Sequence, residues 1–173
     1  MLTTEFLNLT SAICPDRTAI VFEGKRFLFS ELAERTNRLA NAMQGLGVQS
    51  GDRVAVMHVN THEVIEGYFA ASALGAVYVP LNFRGKSEEI TFMLKNSEAK
   101  VLIVGERYLD LVKSIRKDLP QLTHVIVLEG SGEGVLNYDE LLASSSEDPL
   151  FPESEDEDTT ILMYTAGTTG EPK

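Results

Sequence analysis

The stretch Arg53–Leu81, RVAVMHVNTHEVIEGYFAASALGAVYVPL, decides the fold. Its opening, RVAVMHV (Arg53–Val59), is a short apolar run rich in valine, which reads as a strand buried on both faces. From His62 to Leu74 the apolar residues recur at helical spacing, and Gly75 ends the helix. AVYVPL (Ala76–Leu81) is a second strand, stopped by Pro80. A buried strand, a helix and another buried strand make a βαβ unit, with parallel strands and a right-handed crossover.

The same alternation continues towards the C-terminus. Ser87 is expected to cap a helix running to Asn96, with Glu88 and Glu89 in the first turn, where the helix dipole favours anions. KVLIVG (Lys100–Gly105) is a third strand, Tyr108–Asp118 a helix and HVIVLEG (His124–Gly130) a fourth strand, with a short helix or turn over Asn137–Leu142. Towards the N-terminus, Thr18–Phe22 and Arg26–Phe29 flank Glu23-Gly24-Lys25, a hairpin pattern with glycine at the turn. Ser30 is expected to cap the helix that follows. Leu32, Ala33, Leu39, Ala40 and Met43 mark its buried face, and Gly45 and Gly47 end it. The predicted class is α/β: a hairpin and helix, then βα units forming a mostly parallel sheet, over residues 1–142.

Beyond this unit the composition changes. ASSSEDPLFPESEDED (143–158) is rich in serine, proline and acids and reads as an acidic linker. Seven of the chain's 26 acids stand there without a base, so most of the net charge of −11 is local to it. Residues 159–173 give a strand (Thr160–Tyr164) and a glycine-rich loop; the strand must borrow a sheet or lie loosely.

The charge excludes one class of partner. No basic patch exists to displace counterions from a phosphate backbone, so nucleic acid is not expected. The single cysteine, Cys14, allows no internal disulfide and fits a reducing compartment. MLTTEFLNLT carries an acid and no base, unlike a secretory leader. The longest apolar stretch, Tyr68–Leu81, is too short for a transmembrane segment and is interrupted by Gly75 and Pro80. A cytoplasmic location follows as the expectation.

The loop YTAGTTGEPK (Tyr164–Lys173) carries the chemistry. Phosphate needs several converging donors. Gly167 and Gly170 remove Cβ atoms and let backbone N–H groups approach, Thr165, Thr168 and Thr169 supply hydroxyls, and Lys173 supplies charge. The pattern differs from G-x-x-x-x-G-K-[ST], and Pro172 biases Glu171 away from a helix, so the grip would come without a helix dipole. A polar Gly/Thr turn is the plain alternative. His58 and His62 are four apart beside Glu63, but His58 falls on a strand, so no helical face is shared and a zinc site is not expected. Cys14 has no activating partner, and His124 is most simply structural.

At this point the chain resembles the adenylate-forming superfamily of acyl-CoA synthetases, luciferases and peptide-synthetase adenylation domains. YTAGTTGEPK is similar to its phosphate-binding signature, with Ala166 where serine is usual. Phe29–Met57 and Gly67–Val104 are similar to its early helix, strand and βα units, and VPLNFR (Val79–Arg84) is most like fatty-acyl or aryl-acyl CoA ligases. The resemblance implies that Thr165, Ala166, Gly167, Thr168, Thr169, Gly170 and Lys173 hold the ATP β- and γ-phosphates, with Thr165 also helping to place Mg2+. It implies activation of a carboxylic acid, most simply a fatty acid, as acyl-adenylate with loss of pyrophosphate, then transfer to CoA. It also implies that the acyl, adenine and CoA sites lie beyond Lys173 and that this chain alone is inactive. An independent nucleotide-binding module and a non-catalytic interaction domain are the alternatives.

Overall fold

The computed structural model describes residues 3–152 and 157–165. Helix α1 (Thr3–Ile13) precedes an antiparallel hairpin, β1 (Thr18–Phe22) and β2 (Lys25–Leu28), and then α2 (Phe29–Gly45). The chain next alternates through β3 (Arg53–Met57), α3 (His62–Ala73), β4 (Val77–Pro80), α4 (Ser87–Asn96) and β5 (Val101–Gly105). It ends with α5 (Leu109–Ile115), β6 (His124–Leu128), β7 (Leu136–Asn137) and α6 (Tyr138–Ala143).

Strands β3 to β7 form a parallel sheet in the order β4-β3-β5-β6-β7. Successive strand residues point to opposite faces, so each strand feeds two cores. Val54, Val56, Val101, Ile103 and Ile126 meet α2, α3 and α6 on one face. Ala55, Met57, Leu102, Val104 and Val127 meet α4 and α5 on the other. That two-sided burial is why these strands read as continuous apolar runs rather than alternating ones. Gly75 turns the chain from α3 into β4 at φ +66°, and a Cβ there would lie 2.8 Å from Ser50 Oγ. Only glycine meets both demands without strain.

Three expectations are corrected. Ser30 and Ser87 are not caps. Helix α2 starts at Phe29 and α4 at Ser87 itself, so the cap positions are Leu28 and Lys86. Their N–H groups donate to the carboxylates of Glu31 (2.7 Å) and Glu89 (2.8 Å). A carboxylate three residues into the helix is the stronger, charge-assisted acceptor; Ser30 Oγ instead donates to Pro15 O at 3.1 Å. The two-residue strand β7 is additional to the four expected strands. Finally, the expected strand Thr160–Tyr164 is reduced to an isolated parallel bridge at Ile161, by which the segment borrows the open edge of β4 rather than lying loosely.

The segment after α6 is tied down at its start. Arg38 donates to Ser145 O at 2.7 Å and pairs with Glu147 at 2.6 Å. Asn41 Nδ2 donates to Ser146 O (3.1 Å) and Asp148 O (2.9 Å). These contacts lay residues 145–148 along α2, and Leu150 packs against the core between the sheet and α2.

Candidate functional site

In an open parallel sheet the strands present their carboxyl ends at one edge, where the connecting loops can gather around a ligand. Two features of this chain are relevant to that edge. The first is the segment that leads into the glycine-rich loop. Tyr78 N–H donates to Thr160 O at 3.0 Å and Leu162 N–H donates to Tyr78 O at 2.9 Å, a parallel bridge centred on Tyr78 and Ile161. Because the pairing is parallel, the chain leaves this strand at the carboxyl edge. Thr165, the last residue described, is exposed. The other candidate phosphate ligands, Ala166, Gly167, Thr168, Thr169, Gly170 and Lys173, lie outside the described residues.

The second feature is a small cavity at the switch point of the sheet. Strand β3 leaves through α3 towards β4, whereas its neighbour β5 leaves through α5 towards β6, so their connections diverge. A cavity of about 190 Å³ lies outside their ends, lined among others by His58, Thr61, His62, Glu63, Arg107 and Glu129. His58 is buried, its Nδ1 has no hydrogen-bond partner, and its ring packs directly on Gly105 with Tyr108 edge-on at 6.3 Å. Burial pushes the His58 imidazole below its ordinary pKa; Arg107 adds to this, and Glu129 and Glu63 oppose it. His62 stacks on Phe27 at 4.2 Å and reaches Glu63 at 3.2 Å. His58 follows β3 while His62 opens α3, so the pair shares no helical face. Among the described residues no cluster of three or more His, Cys, Asp or Glu could hold a metal ion.

Behind the cavity, His62 lies 3.9 Å from Glu66, whose side chain is completely buried. Arg35 of α2 donates to both Glu66 oxygens, at 2.7 and 3.2 Å, and Tyr138 of α6 donates its hydroxyl to the same carboxylate. Burial, then the neighbouring carboxylate, hold the Tyr138 phenol well above its usual range, so it remains a donor. The guanidinium loses some preference for charge by burial, but the Glu66 hydrogen bond and attraction outweigh that and raise it. One acid in the apolar run VIEGYFAA was the available sequence signal for this network. A cavity of about 600 Å³ lined by Gln44, Gln49, Leu74, Leu150 and Phe151 lies at the opposite, amino end of the sheet, away from these features. Among the described residues no helix is long and apolar enough to cross a membrane.

The chain is similar to known proteins in both sequence and fold. The AMP-binding enzyme family matches residues 10–173. The 3-oxocholest-4-en-26-oate–CoA ligase of Rhodococcus rhodochrous is 34% identical over 167 residues, covering 93% of this chain and 30% of the relative. The long-chain-fatty-acid–CoA ligase of Thermus thermophilus is 37% identical over 152 residues, covering 87% of this chain and 28% of the relative. Among solved structures, an anthranilate CoA ligase in complex with anthranoyl-AMP superposes with a TM-score of 0.96 at 31% identity, over 99% of this chain and 33% of that one. The chain thus spans about a third of the length of the relatives it matches.

Proposed function

We propose, for a chain that belongs to the AMP-binding enzyme family, that it supplies the N-terminal part of an ATP-dependent acyl-CoA ligase. The observation that carries this reading is the parallel bridge between Ile161 and Tyr78 of β4, which directs the chain towards the carboxyl edge shortly before the glycine-rich sequence begins. In the proposed reaction a carboxylate oxygen attacks the α-phosphorus of ATP, and the bond to pyrophosphate breaks. The CoA thiol then attacks the acyl carbonyl and AMP leaves.

The role of this chain is in the first step. Negative charge builds on the departing pyrophosphate, and donors aimed at it lower the barrier more than they tighten substrate binding. The backbone N–H groups of Gly167, Thr168, Thr169 and Gly170 can approach closely because the glycines carry no side chain. The hydroxyls of Thr165, Thr168 and Thr169 add donors, Ala166 contributes only its backbone, and Lys173 meets the charge directly. Thr165 is exposed, and a threonine hydroxyl is a hard oxygen ligand that suits a cation such as Mg2+, which when bound would offset phosphate charge.

The substrate is a carboxylic acid, and a fatty acid fits best. VPLNFR resembles fatty-acyl or aryl-acyl ligases, and the relatives' names include long-chain fatty and sterol-derived acids. A cytoplasmic enzyme would have its co-substrates ATP and CoA at hand. The test is product analysis on the full translation product of the gene, given ATP, Mg2+, CoA and a panel of acids. The expected result is AMP and an acyl-CoA thioester formed together, each requiring the acid. Release of ADP, or AMP formation indifferent to the acid, would refute the assignment.

A further inference from the structure

We infer that Tyr164 is a positioning residue for the phosphate loop, acting through a hydrogen bond to Asn96 at the end of α4; this rests on the ligase reading above. Among the described residues, the segment before the loop pairs with β4 through two backbone hydrogen bonds around Tyr78, and both lie upstream of Tyr164. These two bonds by themselves hold the segment only as far as Leu162. The side chains supply the missing constraint. Leu162 and Tyr164 are two apart in extended chain, so they share a face, and both pack on the core beneath α4 and α5.

From that position the Tyr164 hydroxyl reaches Asn96 Oδ1 at 2.7 Å, with Met93 O at 3.3 Å as a second acceptor. The Phe92 ring stands nearly edge-on to the tyrosine at 6.4 Å. Asn96 is a firm anchor because its helix end is itself held. Ser97 O accepts from Arg53 Nε of β3 at 2.6 Å, and Leu94 O accepts from Gln121 Nε2 at 3.1 Å. Tyr164 thus ties the strand-to-loop junction to the body of the sheet one residue before Thr165. A loop whose donors must converge on developing charge loses rate when its base can shift by about an ångström.

The decisive experiment is acid-dependent exchange of labelled pyrophosphate into ATP by the full translation product, with circular dichroism as a check on folding. Loss of one hydrogen bond predicts about a tenfold fall in the exchange rate for Tyr164→Phe, with the acid's half-saturating concentration unchanged. Asn96→Ala should lower it by the same factor or less, because Met93 O remains as an acceptor. Asn96→Asp keeps the acceptor oxygen and should stay within about threefold of wild type. The double variant Tyr164→Phe/Asn96→Ala should be no slower than Tyr164→Phe alone, because the phenylalanine has already removed the contact to Asn96. A purely structural tyrosine would lower the melting temperature and leave exchange unchanged, and that result overturns the proposal. Losses that simply multiply in the double variant overturn it too. A wild-type protein without acid-dependent exchange would instead overturn the ligase reading, and the positioning role with it.

Discussion

Replacing Arg35 with methionine should destabilise the chain by about 3–5 kcal/mol, the usual cost of leaving a buried charge without its partner. The structure sets the conditions for a value of this size. Glu66 has a fully buried side chain, and Arg35 gives it two of its hydrogen bonds at 2.7 and 3.2 Å. After Arg35→Met only the Tyr138 hydroxyl still donates, and His62 stands 3.9 Å away. Water cannot easily reach the carboxylate, because α2, α3 and α6 close over it. The loss would be a large part of the roughly 5–15 kcal/mol that holds such a domain together. The triple variant Arg35→Met/Glu66→Leu/Tyr138→Phe removes the charge and both donors at once. It should recover most of the loss, since well-packed apolar groups replace buried ion pairs at little cost. Urea denaturation followed by circular dichroism measures this: the midpoint should fall sharply in the single variant and return in the triple, with unchanged slopes. A single variant as stable as wild type, or a triple variant no better than the single, would refute the argument that Glu66 is an enclosed, dependent charge.

Gly105→Ala should cost about 1–3 kcal/mol by overpacking, because the new methyl would press on His58 Nδ1 and lie 2.6 Å from Cε1; adding His58→Ala should relieve it, as thermal melts would show. The buried His58 titrates below its ordinary value of 6.5. The unfolded chain therefore takes up this proton first, and the contribution is intact above about pH 6.5 and lost as pH falls towards the folded value. Urea midpoints at about pH 7.5 and about pH 5 should accordingly differ less in His58→Gln than in wild type; an equal drop in both would show that His58 does not set the slope. The chain by itself should bind Mg-ATP no more tightly than about millimolar, since phosphate contacts alone are screened and ordering the loop costs backbone entropy. Micromolar affinity in isothermal titration would favour an independent nucleotide-binding module.

The sheet was legible because its strands are buried on both faces: runs such as RVAVM and VLIVG have no other soluble use at that length. The hairpin was legible from Gly24, and the βα units from glycine at helix ends. What escaped was whatever depends on partners distant in sequence. Ser30 and Ser87 looked like caps, yet both lie inside their helices, and Glu31 and Glu89 accept the cap amides of Leu28 and Lys86. Residues 145–148 read as a solvated acidic segment, but Arg38 and Asn41 on α2 stood ready for their carbonyls and for Glu147. The resting place of Thr160–Tyr164 was open because β4's free edge exists only once the strand order is known. Of the candidate site, the loop was visible through its glycines, threonines and lysine. The contact between Tyr164 and Asn96 was not, since nothing in either residue announces a partner 68 positions away.

The central claim is that the glycine-rich sequence Thr165–Lys173 stabilises pyrophosphate as it departs from ATP under attack by the acid. It is tested most directly by pyrophosphate–ATP exchange in the full translation product, comparing wild type with Lys173→Ala. The account predicts acid-dependent exchange that falls by about 10²–10³ in the variant, with a much smaller change in the acid concentration needed for half-maximal rate. Exchange at the wild-type rate in Lys173→Ala would contradict it.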